Sequence, residues 1–553
     1  MQIWEQVYNP LENIYLSAFI AIIPVIFFFL ALTLLRLKGH VAGAITLILS
    51  IIIAIVVFGM PTQMALLSAS YGFLYGLWPI AWIIIGAVYL YKLTVKSGQF
   101  DIIRDSIIYI TDDKRLQVLL IGFCFGGFLE GAAGFGAPVA ITAALLAGLG
   151  FNPIYAAGLC LIANTAPVAF GALGIPITVA GQVSGVDAQA IGAMTSRQLF
   201  LLAAFVPMWI VFIMDGLKGV KQTLPATLVT GLSFSITQYS TSHYISYELA
   251  GITSALVSML CLTALLQFWK PLQTDLQMNT GNTTAMLAAD VKPQAPFKYS
   301  LGQVLNAWSP FIILTIMVTV WTLAPVKALL SKCNLYFTFS GIDGLIAKSS
   351  PVAVKTNDTL TAIFKLDLIA ATGTAIIIAA IISILILKIT PKRALCIFWE
   401  TLKELKWSIF SIGLVLGFAY VTNNSGMSVT MALVLAGTGL AFPFFAPFLG
   451  WLGVFLTGSD TSANALFGSL QANTAHQLNL SDTLMVASNS SGGVTGKMIS
   501  PQSIAVACAA TGQVGKESDL FRFTVKHSIF FAVIVGLINL LQSYVFTWMI
   551  YVH

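Results

Sequence analysis

Two stretches each set one carboxylate among glycines and small polar residues inside an otherwise apolar run. They are Phe128-Leu-Glu-Gly-Ala-Ala-Gly-Phe-Gly-Ala-Pro138 and Phe455-Leu-Thr-Gly-Ser-Asp-Thr-Ser-Ala-Asn-Ala465, and both begin Phe-Leu-x-Gly, 327 residues apart. An ionised carboxylate at the centre of a bilayer costs about 2.5–3.5 kcal/mol on insertion scales, so such a residue points to function. Glu130, in the apolar setting of Phe128 and Leu129, is the favoured carrier of a proton. Asp460 is the second candidate, and alternatively a fixed partner for a cation. The only Lys or Arg between positions 407 and 515 is Lys497. It has three readings: it pairs with a substrate carboxylate, it forms an ion pair with Asp460 or Glu130, or it snorkels to an interface. The first is favoured. His476 is a weaker candidate, and a lone His there is more often an interface residue.

Two kinds of element have to position these charges. Gly131, Gly134 and Gly136 in one stretch, and Ser459, Thr461 and Asn464 in the other, suit a re-entrant hairpin or a helix broken at the membrane centre. Freed backbone groups are tolerated there only where they line protein or a watery cavity. Broken helix ends offer N–H groups and a positive end to an anion. The second kind runs from Asn164-Thr-Ala-Pro167 to Pro176, and from Asn489-Ser-Ser-Gly-Gly to Pro501. Polar residues followed by Gly and Pro inside an apolar run suit a discontinuous helix, with a Pro-kinked helix as the alternative. Asn164, Thr165, Asn489 and Ser490 join Ser459, Thr461 and Asn464 as candidates to bind a substrate. The 131–136 and 489–493 backbones join Lys497 as candidates to hold an anion. Gly122-x-x-x-Gly126 and Gly127-x-x-x-Gly131 also read as helix-contact motifs.

The chain has 553 residues, 58% hydrophobic and 9% charged, against roughly 25% charged in soluble domains. It is an all-α polytopic membrane protein with roughly 12 to 14 spans of about 20 residues. The first, from Ile14 to Leu35, lacks a basic n-region and is read as a retained helix. The net charge of +6 mostly records which loops face the cytoplasm. The six cysteines are dispersed with no C-x-x-C pair, so disulfide, zinc and other metal readings are weak. Ser491-Gly-Gly-Val-Thr-Gly-Lys497 only imitates a nucleotide loop, since Met498 follows the Lys. No cofactor and no nucleic-acid partner is implied, and no Cys/His constellation suggests an enzyme.

The second half echoes the first at a nearly constant offset. Leu77-Trp78-Pro-Ile80 matches Lys406-Trp407-Ser-Ile409, Ser97-Gly98 matches Ser425-Gly426, Gly171 matches Gly496 and Pro176 matches Pro501. Lys92, Lys96, Arg104, Lys114 and Arg115 follow the Trp78 helix, whereas Lys388, Lys392, Arg393, Lys403 and Lys406 precede the Trp407 helix. With basic loops inside, the matched helices cross in opposite directions. That is an inverted-topology repeat, a transporter signature with substrate expected at the midplane. The expected organisation is N-terminal helices over 1–60 and a first repeat half over 61–268, with hairpin 117–150 and broken helix 154–180. A polar linker follows over 269–302, then helices over 303–388 with an extramembrane insert at 325–366. A second half over 389–526 carries hairpin 450–475 and broken helix 483–510, and a last helix spans 527–553. Arg522, Lys526 and His527 are expected to flank that helix as a cytoplasmic anchor, and Lys365 with Asp367 to form a surface pair.

Gly76-Leu-Trp-Pro-Ile-Ala-Trp82, the Glu130 stretch through Ala140, Phe455-Leu-Thr-Gly-Ser-Asp-Thr-Ser462, Thr495-Gly-Lys-Met-Ile-Ser-Pro-Gln502 and Lys516-Glu-Ser-Asp-Leu-Phe-Arg-Phe-Thr-Val-Lys526 together resemble the bacterial L-lactate permeases over essentially the whole chain. The resemblance implies a multi-pass carrier of the bacterial cytoplasmic (inner) membrane that imports L-lactate with a proton, often accepting D-lactate and glycolate. Its partners are then a small 2-hydroxymonocarboxylate, a proton and the bilayer. A glycolate-preferring permease and a sodium-coupled carboxylate carrier stand as alternatives.

Overall fold

A computed structural model describes residues 3–33, 35, 37–134, 137–271, 299–350 and 358–551. Among them, ten helices are long and apolar enough to cross a membrane. A bent pair, Pro153–Ala163 with Val168–Ser184 at 69°, makes an eleventh span. One of the ten, Ala188–Tyr244, is 57 residues long and has a single non-helical residue at Gly216, φ 60°. Its two arms lie side by side: a Cβ on Gly231 would sit 2.2 Å from the Ala204 carbonyl oxygen, and Gln189 donates to the Ser242 carbonyl at 2.5 Å. It therefore crosses twice, which turns eleven spans into twelve. This is the low end of the expected range, because several apolar runs become half-length helices such as Pro138–Gly148 and Met427–Ala436.

The repeat is visible in matched elements. Gly98 and Gly426 each separate two helices in the left-handed conformation, φ 80° and 89°. Gly126–Ala132 and Ala137–Gly148 answer to Phe442–Thr457 and Asp460–Gln477. Pro153–Ala163 and Gly171–Ser184 answer to Asp482–Lys497 and Pro501–Ala510. Partners are exchanged between halves: Gly171–Ser184 packs on Asp460–Gln477, and its counterpart Pro501–Ala510 packs on Ala137–Gly148. Local signals start these helices. The Asn152 side chain accepts from the N–H groups of Ile154 and Tyr155 with Pro153 in the first turn, and Ser500 accepts from Ser503 N–H ahead of Pro501. A hydroxyl or amide cap plus an early proline is a strong helix start.

Small residues let the second-half helices touch backbone to backbone. A Cβ on Gly450 would lie 1.8 Å from the Asn489 carbonyl oxygen, and one on Gly492 would lie 1.8 Å from that of Pro447. Gly492→Ala is expected to lower stability by about 1–3 kcal/mol, the usual cost of overpacking. A thermal-unfolding series in detergent reads this directly, and an unchanged melting temperature would refute the contact. At the N-terminus and in the 325–366 insert, short strands depart from the all-helical pattern. Leu335–Thr338 pairs antiparallel with Ile363–Leu366, and Trp4–Glu5 pairs with Ile346–Ala347. Lys365 and Asp367 pair at 3.5 Å, and Asp367 also accepts from the Trp78 indole. His527 is not an exposed anchor: it is buried and accepts from the Trp209 indole at 3.3 Å.

Candidate functional site

Glu130, Asp460 and Lys497 face one small cavity of about 80 Å³ between the repeat halves. One water needs about 10–15 Å³ of such space, so the cavity suits a handful of waters or one small organic ion. Broken backbone surrounds it. Ala172, Leu173 and Gly174 all have positive φ (45°, 58° and 71°) before the helix restarts at Ile175. Asp460–Gln477 begins at the rim behind its Ser459 cap, and Pro501–Ala510 begins there with Gln502 and Ser503 lining the cavity. Helix starts carry unpaired N–H groups and partial positive charge, so their convergence favours an anion. Consecutive left-handed non-glycine residues are strained, a feature that clusters at functional sites.

The charges are arranged unequally. Lys497 Nζ donates to Glu130 Oε1 at 2.7 Å, and both side chains are almost fully buried. Asn164 Nδ2 donates to Glu130 Oε2 at 3.2 Å. Gly171 makes room for the pair, since a Cβ there would meet Glu130 Oε1 at 2.9 Å. Asp460 is buried, and neither carboxylate oxygen has a hydrogen-bond partner among the described residues. Its Oδ1 lies where a Cβ on Gly493 would approach to 2.2 Å. Thr461 and Gly458 complete the polar rim, while Val168, Ile175 and Val506 supply an apolar wall.

A sequence profile described as L-lactate permease matches residues 17–546. The chain belongs to the L-lactate permease family. The glycolate permease GlcA of Escherichia coli (strain K12) is 62% identical to it over 560 residues, with all of each chain covered. The L-lactate permease of Salmonella typhimurium is 57% identical over 557 residues, again with full coverage of both. That of Bacillus subtilis (strain 168) is 52% identical over 563 residues, covering 99% of this chain and 100% of the relative. As a member of this family with many membrane spans, the chain is a multi-pass membrane transporter.

Within this permease fold, Glu130, Gly134, Ser459, Asp460, Thr461 and Lys497 line the cavity together. Asn164 stands behind Glu130 as its amide donor. Gly136 lies outside the described residues. Gly131 does not line the cavity: it is a helix contact, where a Cβ would meet Ile252 N at 2.7 Å. Thr165 is buried, with no hydrogen-bond partner for its hydroxyl oxygen among the described residues, and is also off the cavity wall. Asn464, Asn489 and Ser490 form a network behind Asp460. Asn489 donates to Asn464 at 2.8 Å, and Asn464 donates to Ser490 at 2.6 Å and to the Pro176 carbonyl at 3.0 Å. These amides clamp two second-half helices to the first half.

The 489–493 backbone is a correction. It lies inside the continuous helix Asp482–Lys497, so its N–H groups serve that helix. The break comes later, at 498–500, and its offered groups belong to the start of Pro501–Ala510. Gln502 and Ser503 are therefore cavity residues that the sequence reading missed. The signal that would have found them is the Ser500-Pro501 helix start. His476 stays outside the cavity and lies 3.5 Å from Asp482.

Proposed function

We propose that the chain imports small 2-hydroxymonocarboxylates, namely L-lactate, D-lactate and glycolate, by proton symport across the bacterial cytoplasmic membrane. The observation that carries this reading is the buried Lys497–Glu130 pair at the cavity. An arriving carboxylate competes with Glu130 for the ammonium. Protonation of Glu130 removes the competitor, so anion and proton bind together. Backbone N–H groups in the first turns of Asp460–Gln477 and Pro501–Ala510, those of Thr461 and Gln502, help hold the carboxylate. Ser459, Thr461, Gln502 and Ser503 are the hydrogen-bonding groups available to the 2-hydroxyl, and Val168, Ile175 and Val506 suit a methyl. Asp460 is the alternative carrier of that proton, and Asp460→Asn compared with Glu130→Gln separates the two assignments. The repeat halves 61–268 and 389–526 supply the paired hairpins that move together against the other helices.

One anion with one proton moves no net charge. The membrane potential, about 2.3 kcal/mol per charge per 100 mV, then contributes nothing, and the pH gradient supplies about 1.4 kcal/mol per unit. In sodium-free proteoliposomes, a potassium diffusion potential at equal pH is expected to leave L-lactate accumulation at background. Potential-driven accumulation would contradict the stoichiometry, and a requirement for sodium would favour the sodium-coupled carrier. A glycolate-preferring permease is the second reading, supported by the 62% identity to GlcA. Competition between labelled glycolate and L-lactate decides the preference.

A further inference from the structure

A second cavity, of about 300 Å³ and sharing no lining residue with the first, lies between the hairpin Ala188–Tyr244 and the last helix Glu517–Tyr544. Phe200, Leu201, Ile538 and Leu541 make it apolar. Three lining residues, Arg197, Tyr239 and Gln542, carry polar groups, and two of them stand out. Gln542 is 1% exposed, and neither its Oε1 nor its Nε2 has a hydrogen-bond partner among the described residues. Arg197 donates from Nε to His243 and from Nη1 to the Met549 carbonyl, and its guanidinium lies over the Tyr551 ring at 5.3 Å; Nη2 is left without a hydrogen-bond partner among the described residues.

A buried amide that is unpaired at both ends is rare and needs an explanation. Water alone is a poor one, because a buried water needs two to four polar partners and this slot offers few. The groove sits at the ends of the helices opposite the turn that carries Lys218 and Lys221, and exposed Tyr244 and Trp548 mark that end. Exposed Tyr and Trp are the mark of a bilayer interface. The depth, the apolar walls and the guanidinium suit an amphiphile with an anionic head.

We propose that this groove is a specific phospholipid site. One acyl chain lies along Phe200, Leu201, Ile538 and Leu541. The phosphate meets Arg197. Gln542 Nε2 donates to an ester carbonyl, and its Oε1 accepts from a hydroxyl or ammonium of the headgroup. The site therefore takes phosphatidylglycerol or phosphatidylethanolamine in preference to phosphatidylcholine, whose head has no donor.

The test is thermal unfolding and native mass spectrometry of the full, delipidated chain with each of these three lipids added. Phosphatidylglycerol or phosphatidylethanolamine is expected to be retained and to raise the melting temperature, with phosphatidylcholine clearly weaker. Gln542→Leu replaces an unpaired polar group with an apolar one, so its lipid-free stability is expected to hold or rise. Its retention of the preferred lipid is expected to fall about tenfold, near the loss of one hydrogen bond. Leu201→Trp fills the groove without touching either polar group and is expected to displace the lipid as well. Equal retention by wild type and both variants, or phosphatidylcholine binding as well as the other two, overturns the proposal.

Discussion

Lys497→Ala is expected to lower L-lactate uptake sharply, with kcat/KM down by about ten- to a hundredfold and less carrier folded in the membrane. Two effects combine. A hydrogen bond to a charged group contributes about 1.5–3 kcal/mol, and each 1.4 kcal/mol is a factor of ten, so losing the ammonium weakens carboxylate binding by about ten- to a hundredfold. The variant also leaves Glu130 buried beside Asn164 without its cation. Breaking a buried pair from one side destabilises by about 3–5 kcal/mol, so less folded protein is expected in the membrane. The double variant Lys497→Ala with Glu130→Gln removes that unpaired charge. It is expected to recover melting temperature but not uptake. Initial rates in vesicles, normalised to folded carrier, separate the two effects. A Lys497→Ala carrier with half the wild-type rate would remove the lysine from the substrate site.

Glu130→Gln is expected to split exchange from accumulation. Glutamine copies the shape of the protonated acid, so Lys497 stays available to an arriving carboxylate. Counterflow of labelled against unlabelled L-lactate needs only loaded carriers and is expected to keep at least about a third of the wild-type rate, less than the tenfold loss that 1.4 kcal/mol would bring. The empty variant carrier holds an unpaired buried ammonium, a form that is costly. Its return is therefore expected to stall, and accumulation driven by a pH gradient is expected to disappear. Asp460→Asn is the comparison. Where Glu130 carries the proton, the asparagine variant keeps pH-driven accumulation. The reverse pattern would move the proton to Asp460, whose carboxylate oxygens have no hydrogen-bond partner among the described residues.

Much of this arrangement was legible in the sequence because charges are scarce in an apolar chain. Lys497, Glu130 and Asp460 stand out wherever the helices run, and pairing of Lys497 with Glu130 was one of the readings the sequence left open. The repeat was legible because glycine and proline positions survive a constant offset, as Gly98 and Gly426 do. What one dimension conceals is which face of a helix a polar residue occupies. Asn464 and Asn489 have the composition of site residues, yet they satisfy each other and the Pro176 and Ala463 carbonyls. Buried amides without water do this as a rule. Gly492 and Gly493 read as a helix break, but they are contact residues against Pro447 and Asp460. That difference moved the break to 498–500 and brought Gln502 and Ser503 into the cavity. The turn at Gly216 joins two crossings into one helical run, which hydropathy alone does not separate.

The most direct test is to measure proton and substrate movement together. Wild-type carrier in liposomes holding a pH-sensitive dye receives a pulse of labelled L-lactate at zero pH gradient and clamped potential. Acidification of the lumen in step with label uptake, near one proton per lactate, is expected, and Glu130→Gln is expected to take up no protons. Lactate uptake by the wild type without lumenal acidification would contradict proton symport through this site.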